Sequence, residues 1–89
     1  SKPPPATDAE LAALFREKRD VEALGQLYDR HLEKVYAVCW KYLKNRELAQ
    51  DAVMQIFEVV LKDLPRFEVQ NFGAWVHTVA RNHCLMQLR

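Results

Sequence analysis

Glycine is almost missing from this chain: there are two in 89 residues, Gly25 and Gly73, and both fall inside helical patterns. That excludes a phosphate-cradling glycine loop, a GxSxG nucleophile elbow and a dinucleotide fingerprint. There is no HExxH helix either. Cysteine is equally sparse, and neither Cys39 nor Cys84 has a CxxC or HxxxH neighbour to gather metal ligands with His31, His77 or His83. No metal and no cofactor are expected. No apolar run is long enough to span a bilayer and no signal peptide opens the chain, so two free thiols fit a reducing, cytoplasmic setting and packing roles. No nucleophile and base stand at usable spacing, so an enzyme is not expected. An excess of one charge is lacking too. Thirteen basic residues against twelve acidic leave +1, which confines any nucleic-acid contact to a local patch.

What the chain does have is helical periodicity. Its length allows one small domain with a single core. It opens SKPPP without an initiator Met and stops inside a helical pattern, which reads as a fragment of a longer protein. Residues 1–6 form a Pro-rich lead that is expected to be disordered. Thr7 and Glu10 have the spacing of a capping box, and a short helix edged by Leu11, Leu14 and Phe15 follows, fraying near Arg19 and Asp20. Asp20 caps a second helix that the spacing of Leu24, Leu27, Tyr28, Leu32, Val35, Tyr36 and Cys39 carries over about six turns to Tyr42 or Leu43. Gly25 marks a close crossing with the first helix.

The run from Asn45 to Leu64 is the longest segment with a single reading: an N-cap at Asn45, a stripe of Leu48, Ala52, Val53, Ile56, Phe57, Val60 and Leu64, and a stop at Pro65. The LPRFEVQN segment is a loop anchored by Phe67. Asn71 then caps a last helix whose apolar face is Phe72, Trp75, Val76, Val79, His83 and Met86, with Leu85 and Leu88 burying its final turns on a second side. The expected fold is all-α, a compact bundle of about four helices without a sheet, over residues 7–89.

Two polar faces remain. On the Asn45–Leu64 helix, Asp51, Met54, Gln55, Glu58 and Lys62 point away from the core, and an exposed thioether among them suits an adaptable partner surface. On the last helix, His77, Thr78, Arg81 and Asn82 are side chains of the kinds that contact phosphates and base edges. A third stretch, Trp40, Lys41, Tyr42, Lys44 and Arg46, interleaves rings with positive charge, which serves equally as a nucleic-acid patch or as a basic helix end complementing the macrodipole.

The segments LYDRH with VY, ELAQDAVMQIF, LPRF and FGAWVHTVARN, in that order and spacing, resemble the region-2 domain of the extracytoplasmic-function sigma factors, the promoter-recognition subunits of bacterial RNA polymerase. The resemblance runs from about Leu11 to Arg89. It implies that Asp51, Met54, Gln55 and Glu58 dock on a coiled coil in the largest catalytic subunit of core RNA polymerase. It implies that Arg66, Gln70, Asn71, Trp75, His77, Thr78 and Arg81 meet the nontemplate strand of promoter DNA at the minus-ten element, with Gln70 and Asn71 lining a pocket for an unstacked base. An anti-sigma factor is a further partner it allows, and a second DNA-binding domain is expected after Arg89. This chain departs from the family where Met54 and Gln55 replace a common Gln-Glu pair and where Met86 replaces an Asp. Trp75 matches the family but also lies on the core face, so packing takes its larger share. The competing reading is a helical protein–protein adaptor whose apparent DNA face is only solvated surface.

Overall fold

The structure is a computed structural model that describes residues 2–89. Ser1, the first residue of the Pro-rich lead, lies outside them. The rest of the lead has no regular structure, and Ala6 packs half-buried against the core. Five α-helices follow: α1 (Asp8–Lys18), α2 (Val21–Arg30), α3 (Leu32–Leu43), α4 (Arg46–Asp63) and, after a 3₁₀ turn at Leu64–Arg66, α5 (Phe72–Gln87). There is no strand among the described residues.

The helix starts are set locally. Thr7 and Glu10 close a capping box, the hydroxyl accepting from Glu10 N–H at 3.1 Å and the carboxylate accepting from Thr7 N–H at 2.9 Å. Asp20, Asn45 and Asn71 each accept a bond from the backbone N–H three residues on. α1 and α3 end on Arg19 and Lys44 in the left-handed conformation, at φ 53 and 50.

The expected six-turn helix is instead two helices, α2 and α3, divided at His31 (φ −110, ψ 7). A distant contact explains the break. His31 Nε2–H donates to Asp8 Oδ2 at 2.8 Å and its ring lies 5.3 Å from that of Phe72, so the residue turns toward α1 and α5 rather than continuing the helix. Four helices thus become five.

α3 and α5 run parallel, since His31 meets Phe72 at their starts and Cys39 meets Cys84 two to three turns on. α4 lies beside both. Tyr28 ties α2 to this layer: its hydroxyl donates to the Val53 carbonyl at 2.7 Å and its ring packs at 5.1 Å from Phe57. The core takes Leu24, Leu27, Ile56, Val60 and Leu64 with the small residues Ala49, Ala52, Ala80, Cys39 and Cys84, all fully buried.

Several expected core positions lie elsewhere. On α4 the seam runs through Ala49, while Leu48 is exposed and Val53 and Phe57 are half-buried. On α5 it is Phe72, Val76, Ala80 and Cys84 at four-residue steps; Met86, Leu85 and Leu88 are exposed, so the last turns are not buried on a second side. Phe67 is 51% exposed and does not anchor its loop, a place taken by the half-buried Val69. A Cβ at Gly25 would meet nothing within 4 Å, so no close crossing explains it; the tight approach is at Gly73, where a Cβ would stand 3.1 Å from the His31 ring.

Candidate functional site

α4 presents an acidic ridge. Glu47, Asp51 and Glu58 recur on its outer side with Met54 between them, which is 70% exposed. Four carboxylates (Glu47, Asp51, Glu58, Asp63) against two cations (Arg46, Lys62) leave this helix at −2. Met54 is not isolated. It borders an open apolar groove of about 570 Å³ against α3, lined by Leu32, Glu33, Tyr36, Gln50 and Val53, which continues past Phe57 toward Tyr28 and Gly25 on α2. Leu32 and Tyr36 are therefore part of the surface around Met54. The sequence pattern had them only as core positions.

Gln55 departs from its expected neighbours. It sits on the shoulder of α4 facing α5, where its Oε1 accepts from His83 Nε2–H and from Gln87 Nε2–H, each at 2.8 Å. Burial lowers the pKa of His83. Asp51, Met54 and Glu58 thus form one free ridge, and Gln55 is a bridge between helices.

The second face begins where α4 ends. Pro65 has no N–H to continue the helix, and the chain makes one 3₁₀ turn before running through exposed Glu68, half-buried Val69 and exposed Gln70 to the Asn71 cap. Arg66 is exposed, 3.9 Å from Asp63 and with its guanidinium 6.0 Å from the centre of the Phe67 ring. Gln70 and Asn71 line a cleft of about 330 Å³ whose other wall is the start of α1: Thr7, Asp8 and Ala9, with Ala12 deeper in. That wall was not legible from the loop. Behind it, Asp8 accepts from Arg30 at 3.2 Å and from His31 at 2.8 Å. Burial works against its carboxylate, but those two partners outweigh it and hold the pKa below the usual value. Asn71 commits one lone pair of its oxygen to the Ala74 N–H, and its amide N–H groups remain to offer.

Along α5 no carboxylate occurs at all, and Arg81 is the one permanent charge among two histidines. Thr78 and Arg81 share the outer ridge. Trp75 and His77 do not: at 3.6 residues per turn they stand about 160° apart around the axis, on opposite shoulders. Trp75 is half-buried with its ring 6.0 Å from Phe72, while His77 is exposed. Thr78 uses its hydroxyl hydrogen on the Ala74 carbonyl at 3.2 Å. Trp75 and His77 therefore flank the ridge of Thr78 and Arg81 on opposite sides and share no common surface. At the end of α3, Trp40 and Lys41 are exposed and Lys41 lies 5.8 Å from the Tyr42 ring, away from the loop.

No group of three metal-ligating side chains exists among the described residues, and no helix is long and apolar enough to cross a membrane. An acidic ridge beside an apolar groove, and a carboxylate-free helix led in by a polar loop, give this helical module two chemically distinct faces. The chain belongs to the Sigma-70 region 2 family, whose model matches residues 27–89. Among curated relatives it is 29% identical over 85 residues to the ECF RNA polymerase sigma factor BldN of Streptomyces coelicolor, covering 88% of this chain and 32% of the relative. It is 25% identical over 73 residues to the ECF RNA polymerase sigma factor SigW of Bacillus subtilis, covering 81% of this chain and 39% of the relative. The chain thus spans about a third of the length of these relatives. No solved structure gives a significant match. The family shown is thus sigma-factor region 2, and both relatives carry the name of ECF sigma factors.

Proposed function

We propose that this domain binds core RNA polymerase through α4 and recognises and helps open the minus-ten promoter element through the loop before α5 and α5 itself. The observation that carries the reading is the separation of charge on two adjacent helices: −2 on α4, no carboxylate on α5. A surface free of carboxylates takes a phosphate backbone without like-charge repulsion, and the acidic ridge keeps DNA off the face meant for protein. Polymerase docking uses Asp51, Met54 and Glu58, with Gln55 at the edge. The groove beside Met54 receives apolar side chains of the polymerase coiled coil, in keeping with an amide at position 55 where the family commonly has a carboxylate.

Opening the duplex unstacks bases at a few kcal/mol each, and a protein pocket has to return that energy. The cleft at Gln70 and Asn71 is the candidate pocket, on the nontemplate strand, with Arg66 and Arg81 on phosphates and Thr78 at the strand's edge. Because the cap leaves both Asn71 N–H groups free, it fits a base edge that offers an acceptor.

Retention of core polymerase by the domain tests the first half. Wild type is expected to retain it, and Asp51→Arg and Met54→Glu to lose it; failure of wild type under conditions that retain an established sigma domain would favour the adaptor. For the second half, Asn71→Asp keeps the capping oxygen and deletes the donor, and Gln70→Ala removes the other edge group. Each is expected to relax promoter preference at one position by about 1–3 kcal/mol, and unchanged preference in both sinks the pocket assignment.

A further inference from the structure

Arg16 lies half-buried in the last turn of α1, ahead of the residues that match the family. Its guanidinium reaches the start of the DNA-reading loop: Nε–H donates to the Leu64 carbonyl at 3.3 Å, and Nη2–H to the Phe67 carbonyl at 2.8 Å. These two carbonyls bracket the 3₁₀ turn. Leu64 roots the turn in the core, but few other hydrogen bonds hold its backbone. Pro65 contributes no N–H, the closing bond from Phe67 N–H to Leu64 is 3.4 Å long, and the Phe67 ring is half in solvent. A planar, permanently charged fork grips both ends of such a turn as a single rigid body, which the point charge of a lysine does not. At Leu64 it also satisfies a carbonyl at the negative end of α4.

We propose that Arg16 is a positioning residue for the DNA-reading loop: it sets the path of the chain from the end of α4 and thereby aims Arg66, Gln70 and Asn71. The inference rests on the DNA reading above and makes α1 part of the recognition device.

The test uses holoenzyme assembled from core polymerase and the sigma factor, offered single-stranded oligonucleotides with a randomised block, with the retained pool sequenced. Wild type enriches a motif. Arg16→Ala is expected to flatten that enrichment roughly tenfold, the scale of charged hydrogen bonds lost, with polymerase retention unchanged. Arg16→Lys restores part of it. Ala13→Gly, which weakens α1 in its interior and changes no side chain of the cleft or the loop, keeps the motif and separates stability from positioning. Full enrichment by Arg16→Ala overturns the proposal and leaves the DNA reading standing. Equal flattening by Ala13→Gly overturns it in favour of stability alone, and a wild type that enriches nothing overturns both. Amide exchange gives a readout without DNA: the Phe67 N–H, bonded to the Leu64 carbonyl, is expected to exchange roughly tenfold faster in Arg16→Ala, and unchanged exchange is a second way for the proposal to fail.

Discussion

α4 and α5 lie side by side and bury comparable seams, yet their outer surfaces are built on opposite rules. α4 surrounds one exposed thioether with carboxylates; α5 omits carboxylates altogether and leaves Arg81 as its lone permanent charge. Core packing does not require either choice, because every one of these side chains points away from it. On the proposed function the two surfaces answer to different partners, and the seam between them, bridged by Gln55, His83 and Gln87, keeps them at a fixed angle.

The sharpest way to break the contrast is to give α5 the rule of α4. Arg81→Glu is expected to weaken single-stranded promoter DNA binding by about tenfold and to lower the slope of log affinity against log salt by about one, with core polymerase retention unchanged. An unchanged slope would mean that Arg81 touches no phosphate.

A smaller effect belongs to the bridge. His83→Ala removes a hydrogen bond and is expected to cost about 1 kcal/mol, or roughly 4–8 °C in Tm, by thermal unfolding at neutral pH. Its pH dependence follows from burial, which puts the folded pKa below the ordinary 6.5. On acidification the unfolded chain takes up the proton first, so the contribution is intact above about 6.5 and is lost as pH falls through the folded value. Wild type should lose Tm on going below that point more steeply than His83→Ala does.

Smallest of all is Gln55→Glu, which keeps an acceptor for both donors. Tm at neutral pH is expected to move by less than about 4 °C, while the new carboxylate raises the His83 pKa and reduces the acid sensitivity. A steeper acid loss in this variant would show that the bridge is not as described.

Much of this molecule is legible from neighbours in sequence. The caps at Thr7, Asp20, Asn45 and Asn71 are encoded within three residues of each helix start, and all four form. The outer ridge of α4 follows from helical period alone. What escaped depends on partners far along the chain. The break at His31 is enforced by Asp8, and the loop path by Arg16 rather than by the ring of Phe67. The wall that α1 gives to the Gln70–Asn71 cleft is hidden for the same reason. α5 misled through side-chain size: parallel α3 lies against it, so Ala80 and Cys84 form the seam where larger Trp75 and Met86 looked the better candidates. Gly25 and Gly73 are alike in sequence and differ only in what stands above them.

The buried thiols carry a practical consequence. Cys39 and Cys84 meet across the α3–α5 seam with no solvent exposure, and burial pushes the pKa of Cys39 up to about 12 and that of Cys84 upward as well. Thiolate is the reactive form, so both sulfurs are silent toward alkylating reagents in the folded domain and become ordinary cysteines once the helices part. The protein thus carries its own clock: the rate at which reagent consumes these thiols counts how often α5 parts from α3, with no added label.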